Sequence, residues 1–180
     1  MTSDELQQKL YEFIRQAYPD INIQIGETDD GRRSIHFVSE KFKELFPRQR
    51  YHYLAHLIPA EFHEQYLAQT VWFELAPGEV PADLDYHHEE TIEEIKDIIF
   101  KVLDAIDFAA KLNASLMPEA ARCEGDFRHS KKILSDLHFS DEEQFDVFHV
   151  LMSEGGYCDC EILYNIFRDS EFAKKYWNLR

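Results

Sequence analysis

The chain has 180 residues, 44% of them hydrophobic, which is enough for one large core or two smaller ones without covalent help. Its formal net charge of -16 is carried by both halves, a surface that repels phosphate backbones and argues against nucleic-acid binding. No run has the apolar length to cross a bilayer, the opening MTSDELQQKL is unlike a secretory signal, and three cysteines are an odd number for a disulfide framework. The expectation is a cytoplasmic protein with reduced thiols and no membrane partner.

In chain order, Leu6, Leu10, Phe13, Ile14 and Ala17 recur at the spacing of one helical face and predict a helix over 4–18 that Pro19 stops. Ile21, Ile23 and Ile25 alternate with polar residues, as Ile35 and Phe37 do around His36, which is the period of half-buried strands. Asp29-Asp30-Gly31 between them suits a three-residue hairpin loop with glycine at the left-handed position. That loop pairs Ile25 with Ile35, Ile23 with Phe37 and Glu27 with Arg33, so one register satisfies both an apolar face and a charge pair. Helical stretches follow through Phe42, Leu45 and Phe46 and from Arg50 to Ile58. Residues 70–75, TVWFEL, then read as a strand with Trp72 and Phe73 on opposite faces. Arg32, Arg33, Arg48 and Arg50 are read as solvated charges.

The stretch Ser34-Ile35-His36-Phe37-Val38-Ser39-Glu40-Lys41-Phe42, with Arg50-Tyr51-His52 after it, resembles BolA-like domains, which share this α-β-β-α-β order. Such domains place between two arginines a histidine that joins an iron-sulfur site with a monothiol glutaredoxin. Tyr51 stands at that position here, and the resemblance carries no ligand role to the adjacent His52. His52 and His56 are one helical turn apart, the geometry of a shared metal face, but HYLAH lacks the glutamate of H-E-x-x-H enzymes.

Residues 79–90 are polar and read as the connection to a second region, with His87-His88 a solvated helix entrance. From Thr91, the residues Ile92, Ile95, Ile99, Val102, Ile106 and Ala109 step by three and four, widened by Ile98, Leu103 and Leu112. The spacing predicts one long amphipathic helix, opened either by TIEE, which has capping-box form, or nearer Asp85. Phe127, Ile133, Leu134 and Leu137 suggest another helix, and Ser140-Asp141-Glu142-Glu143 is a capping box opening a third that Gly155-Gly156 ends. A last helix carries Ile162, Leu163, Ile166 and Phe167. The fold class expected is α+β: a small three-stranded mixed sheet with helices over residues 1–85, then a helical region over 86–180.

Two of the three cysteines, Cys158 and Cys160, stand at the chain reversal after the glycine pair, where a helix starting at Asp159 would favour thiolate. Cys123, Arg128, Leu134 and then GGYCDCEILYNI resemble the signature of an uncharacterised bacterial domain-of-unknown-function family. Its usual pattern has a polar residue, often His, two positions after the first cysteine, where this chain has Gly125. Three readings of the cysteines stay open. Cys123, His129, Cys158 and Cys160 are a thiolate-rich ligand set for zinc or iron. Cys158 and Cys160 are alternatively a thiol-redox pair, or all three pack as small apolar side chains. No nucleophile elbow, phosphate-binding loop or dinucleotide fingerprint occurs, and Asp159 and Glu161 are poor chemistry for a DNA groove. The first expectation is therefore a non-enzymatic protein-binding or regulatory module, partnered by another protein or a second copy. A metal-binding or thiol-redox protein is the alternative.

Overall fold

The computed structural model describes residues 1–83, 89–117 and 123–178, and these fall into two compact units, Met1–Tyr86 and His87–Arg180. The His87-His88 pair lies outside the described residues. Three strands and a helical C-terminal unit give an α+β fold.

In the first unit α1 (Ser3–Ile14) is opened by Thr2, whose hydroxyl accepts from Glu5 N while Thr2 N donates to the Glu5 carboxylate, satisfying two amides that a helix start leaves free. Its buried face, Leu6, Leu10 and Ile14, packs on β1 (Asn22–Glu27) and β2 (Arg33–Val38). The antiparallel pair has the register expected, with Ile23 opposite Phe37, Ile25 opposite Ile35 and Glu27 opposite Arg33. Gly31 makes it turn: at φ 80° it occupies the left-handed region, and its amide donates to Thr28 O.

A 3-10 turn at Glu40–Glu44 leads to α2 (Pro47–Leu57), which begins before Arg50 because a proline at the first helical position has no amide to leave unpaired. A short α3 (Ala60–Tyr66), absent from the sequence reading because its residues bury no complete face, completes the crossover to β3 (Val71–Leu75). β3 lies parallel to β2, giving the mixed sheet order β1-β2-β3. Trp72 packs on Phe37 with ring centroids 5.2 Å apart, while Phe73 packs at a tilt against His36 on the opposite face. Phe37, Phe42, Leu54 and Ile35 are fully buried, each worth about 1.5–3 kcal/mol against exposure.

Arg50 corrects the view of the arginines as solvated. Only 4% exposed, it donates through Nε to Leu45 O, through Nη1 to Glu74 O, and through Nη1 and Nη2 to both carboxylate oxygens of Glu79. A buried guanidinium requires this full set of acceptors.

In the second unit α4 (Glu89–Ala105) starts before Thr91, so TIEE lies inside the helix rather than capping it. The single long helix is likewise corrected: Asp107 sits at φ 52° and the chain restarts as α5 (Phe108–Leu116). Aspartate tolerates that left-handed conformation better than most residues, and Lys111 Nζ bonds the Ile106 carbonyl at the break. α6 (Arg128–Asp136) and α7 (Asp141–Ser153) follow, the latter opened by the Ser140–Glu143 capping box and ended at Gly155-Gly156, where Gly156 N donates to Leu151 O. A Cβ on Gly156 would come within 2.9 Å of Ile162 and Ile166, so only glycine admits the next segment at this distance. That segment is one helical turn, α8 (Asp159–Glu161), widening into a π turn over Ile162–Ile166, and α9 (Glu171–Asn178) ends the described chain. The core gathers Phe108, Leu112, Phe127, Leu134, Phe148 and Leu163, with Phe127 stacked on Phe148 at 4.5 Å. Among the described residues no helix is long and apolar enough to cross a membrane.

Candidate metal centre

The CDC turn delivers two thiols because Gly155 and Gly156 reverse the chain against the π turn, leaving Cys158 as the cap of α8 and Cys160 inside it. The third thiol comes from the loop before α6. There Gly125, at φ 81°, bends the chain so that its amide donates to the Cys123 sulfur. A side chain at this position would strain the bend, which is a physical reason for glycine where a polar residue was expected. Arg128 braces the bend from outside, its guanidinium bonding Asp126 and the Glu124 carboxylate.

The three sulfur atoms lie within 4.8 Å of one another, although α6 and α7 separate Cys123 from the other two in sequence. Cys158 is buried, and Cys123 and Cys160 are half-buried. Among the described residues the converging group consists of these three, and the imidazole of His129 is not part of it. His129 instead contributes its backbone amide, which donates to Asp159 Oδ2 at 2.8 Å. His52 and His56 do come together, with ring centroids 4.1 Å apart, and burial followed by the neighbouring His56 charge lowers His52 to about 4. No third ligand-bearing side chain joins them among the described residues.

The donors within the trio converge on the Cys123 sulfur. The Cys158 and Cys160 thiols donate to its sulfur, the amides of Cys160 and Gly125 add to that, and together they lower its pKa. The same bonds hold the protons of Cys158 and Cys160 in place, raising both, Cys160 to about 12. The sequence pointed to the CDC turn for thiolate, and at Cys158 the backbone donor from Glu161 is outweighed by the thiol bonds and burial. Tyr164, on the π turn, is raised first by burial and then by these sulfurs. It stacks on Tyr176 at 4.3 Å, and its carbonyl accepts from Trp177 Nε1.

Asp159 is the residue that sequence reasoning passed over. Fully buried between the two CDC cysteines, its carboxylate accepts from the amides of His129 and Ser130 and from Ser130 Oγ, while its own amide donates to Asp126 O. Burial raises its pKa against the pull of these donors. Nothing in the spacing of C-D-C distinguishes such a clasp from a surface aspartate.

Residues 112–165, from α5 through the CDC turn into the π turn, match the sequence family described as "Protein of unknown function (DUF2695)", and the match includes all three cysteines. No curated protein and no solved structure matches the chain.

Proposed function

We propose that this is a metal-binding module without catalytic function, holding zinc through Cys123, Cys158 and Cys160 in its C-terminal unit. The observation that carries the reading is the convergence of three sulfurs from two separate segments. Packing alone gives one buried and two half-buried thiols no reason to gather. A thiophilic cation does: zinc binds thiolates at about 2.3 Å, which sets sulfurs on a tetrahedral ion roughly 3.8 Å apart, inside the 4.8 Å that bounds the three here. Backbone amides aimed at Cys123 and Cys158 are the kind of outer partners that support thiolate ligands. The fourth position falls to His129, if its imidazole turns into the group, or to water. The acidic surface and the lack of catalytic motifs suit a module whose output is contact with another protein or a second copy.

The test is elemental analysis of protein purified with reductant and without chelator. About one zinc per chain is expected, lost on replacing Cys123, Cys158 or Cys160 by serine, with His129→Ala deciding the fourth ligand. Visible charge-transfer absorption would identify iron on the same thiolates. A metal-free preparation whose thiols disappear in pairs under mild oxidant would favour the thiol-redox reading.

A further inference from the structure

We propose that Asp159 is the positioning residue of the thiol centre, fixing the Cys123 loop to the CDC turn so that a folded protein takes up and releases metal. The proposal rests on the metal reading above and concerns how the centre is assembled. Its ligands come from two segments, and a site of this kind either assembles around the ion, as in small zinc modules that unfold without it, or is held by the protein itself.

Beside the bonds that the CDC turn makes to the Cys123 sulfur, a second set of holding bonds uses no sulfur at all. From the CDC turn, Asp159 N donates to Asp126 O, three residues beyond Cys123, at 3.0 Å. From the same residue, Oδ2 takes the amide of His129 at 2.8 Å, and Oδ1 takes the amide of Ser130 at 3.0 Å and its hydroxyl at 2.5 Å. Asp126, His129 and Ser130 flank Phe127, which is itself stacked in the core on Phe148. Both segments of the centre are thus tied through one residue standing between Cys158 and Cys160.

The chemistry explains why that side chain is aspartate. The first turn of α6 presents amides with no intrahelical acceptor, and a carboxylate can accept from several at once. Asparagine keeps the shape but has one acceptor oxygen and turns an NH2 toward the amides. A fully buried carboxylate is tolerated only where donors converge on it, as the two amides and the Ser130 hydroxyl do here. Outer partners of this kind set metal affinity by about 10- to 100-fold.

The experiment uses full-length, reduced, chelator-stripped protein titrated with zinc chloride against a chromophoric chelator, in the wild type, Asp159→Asn and Ser130→Ala. The wild type should keep its helical circular dichroism when stripped and bind one zinc. Asp159→Asn should bind about 10- to 100-fold more weakly, with the sulfur-to-cobalt absorption of the cobalt-saturated protein unchanged per metal, because the ligands are kept and only their placement is lost. Ser130→Ala, which removes one donor and keeps the carboxylate, should shift affinity the same way by less, and serves if Asp159→Asn does not fold. Loss of helix in the stripped wild type, affinity within twofold of wild type in both variants, or a diminished cobalt band at saturation would each overturn the proposal. A wild type that binds no zinc would instead remove the metal reading, whatever the variants do.

Discussion

Glu74 faces the core of the N-terminal unit across from Phe37, only 2% exposed, with Oε1 lacking any hydrogen-bond partner among the described residues. Burial raises its pKa to about 7 in spite of the nearby Arg50 charge, whose guanidinium is occupied by Glu79 and by the Glu74 carbonyl. The unfolded chain releases this proton near pH 4.5 and the folded one near 7, so between those values the folded state binds more protons and stability falls as pH rises. The loss should reach about 3 kcal/mol above pH 7. Glu74→Gln should abolish this part of the slope, leaving the variant more stable than wild type at pH 8 and close to it at pH 4. Denaturant melts at the two values test this, and parallel pH profiles for the two proteins would refute it. Neither Glu74 nor Arg50 was legible in the sequence: a charged residue in a strand or helix reads as solvated, and what buries these two is a pairing between α2 and β3 that no local pattern encodes.

At the scale of elements, legibility followed how local the determinant is. The hairpin register came from alternation and a glycine three residues apart from its turn partner, and the α7 start came from a capping box, all within a few residues of chain. The break between α4 and α5 did not, because the apolar steps from Ile92 to Ala109 continue through it and only the backbone at Asp107 leaves the helix. An aspartate at φ 52° pays for a conformation that glycine adopts freely. Asp107→Gly should therefore stabilise the protein by about 1 kcal/mol, read as a rise in melting temperature. A straight α4–α5 helix would give the opposite sign, since glycine inside a helix costs about 1 kcal/mol.

Across the whole molecule, the two cysteines of the CDC turn were legible as a candidate centre, but the third ligand was only one member of a guess. Cys123 joins them through Gly125, Arg128 and Asp159, contacts that span α6 and α7 and leave no periodic trace. The family match covers this same stretch. We propose that residues 86–180 form an independent folding unit, and expressed alone they should bind zinc with the stoichiometry and affinity of the full chain. Failure of that fragment to fold would place the boundary elsewhere. The most direct measurement is X-ray absorption at the zinc edge of the full-length protein. Three sulfur scatterers at about 2.3 Å with one lighter ligand are predicted, and the protein-bound zinc signal should disappear in Cys123→Ser. A spectrum with two or fewer sulfurs in the wild type, or one unchanged by Cys123→Ser, would contradict a centre built from both segments.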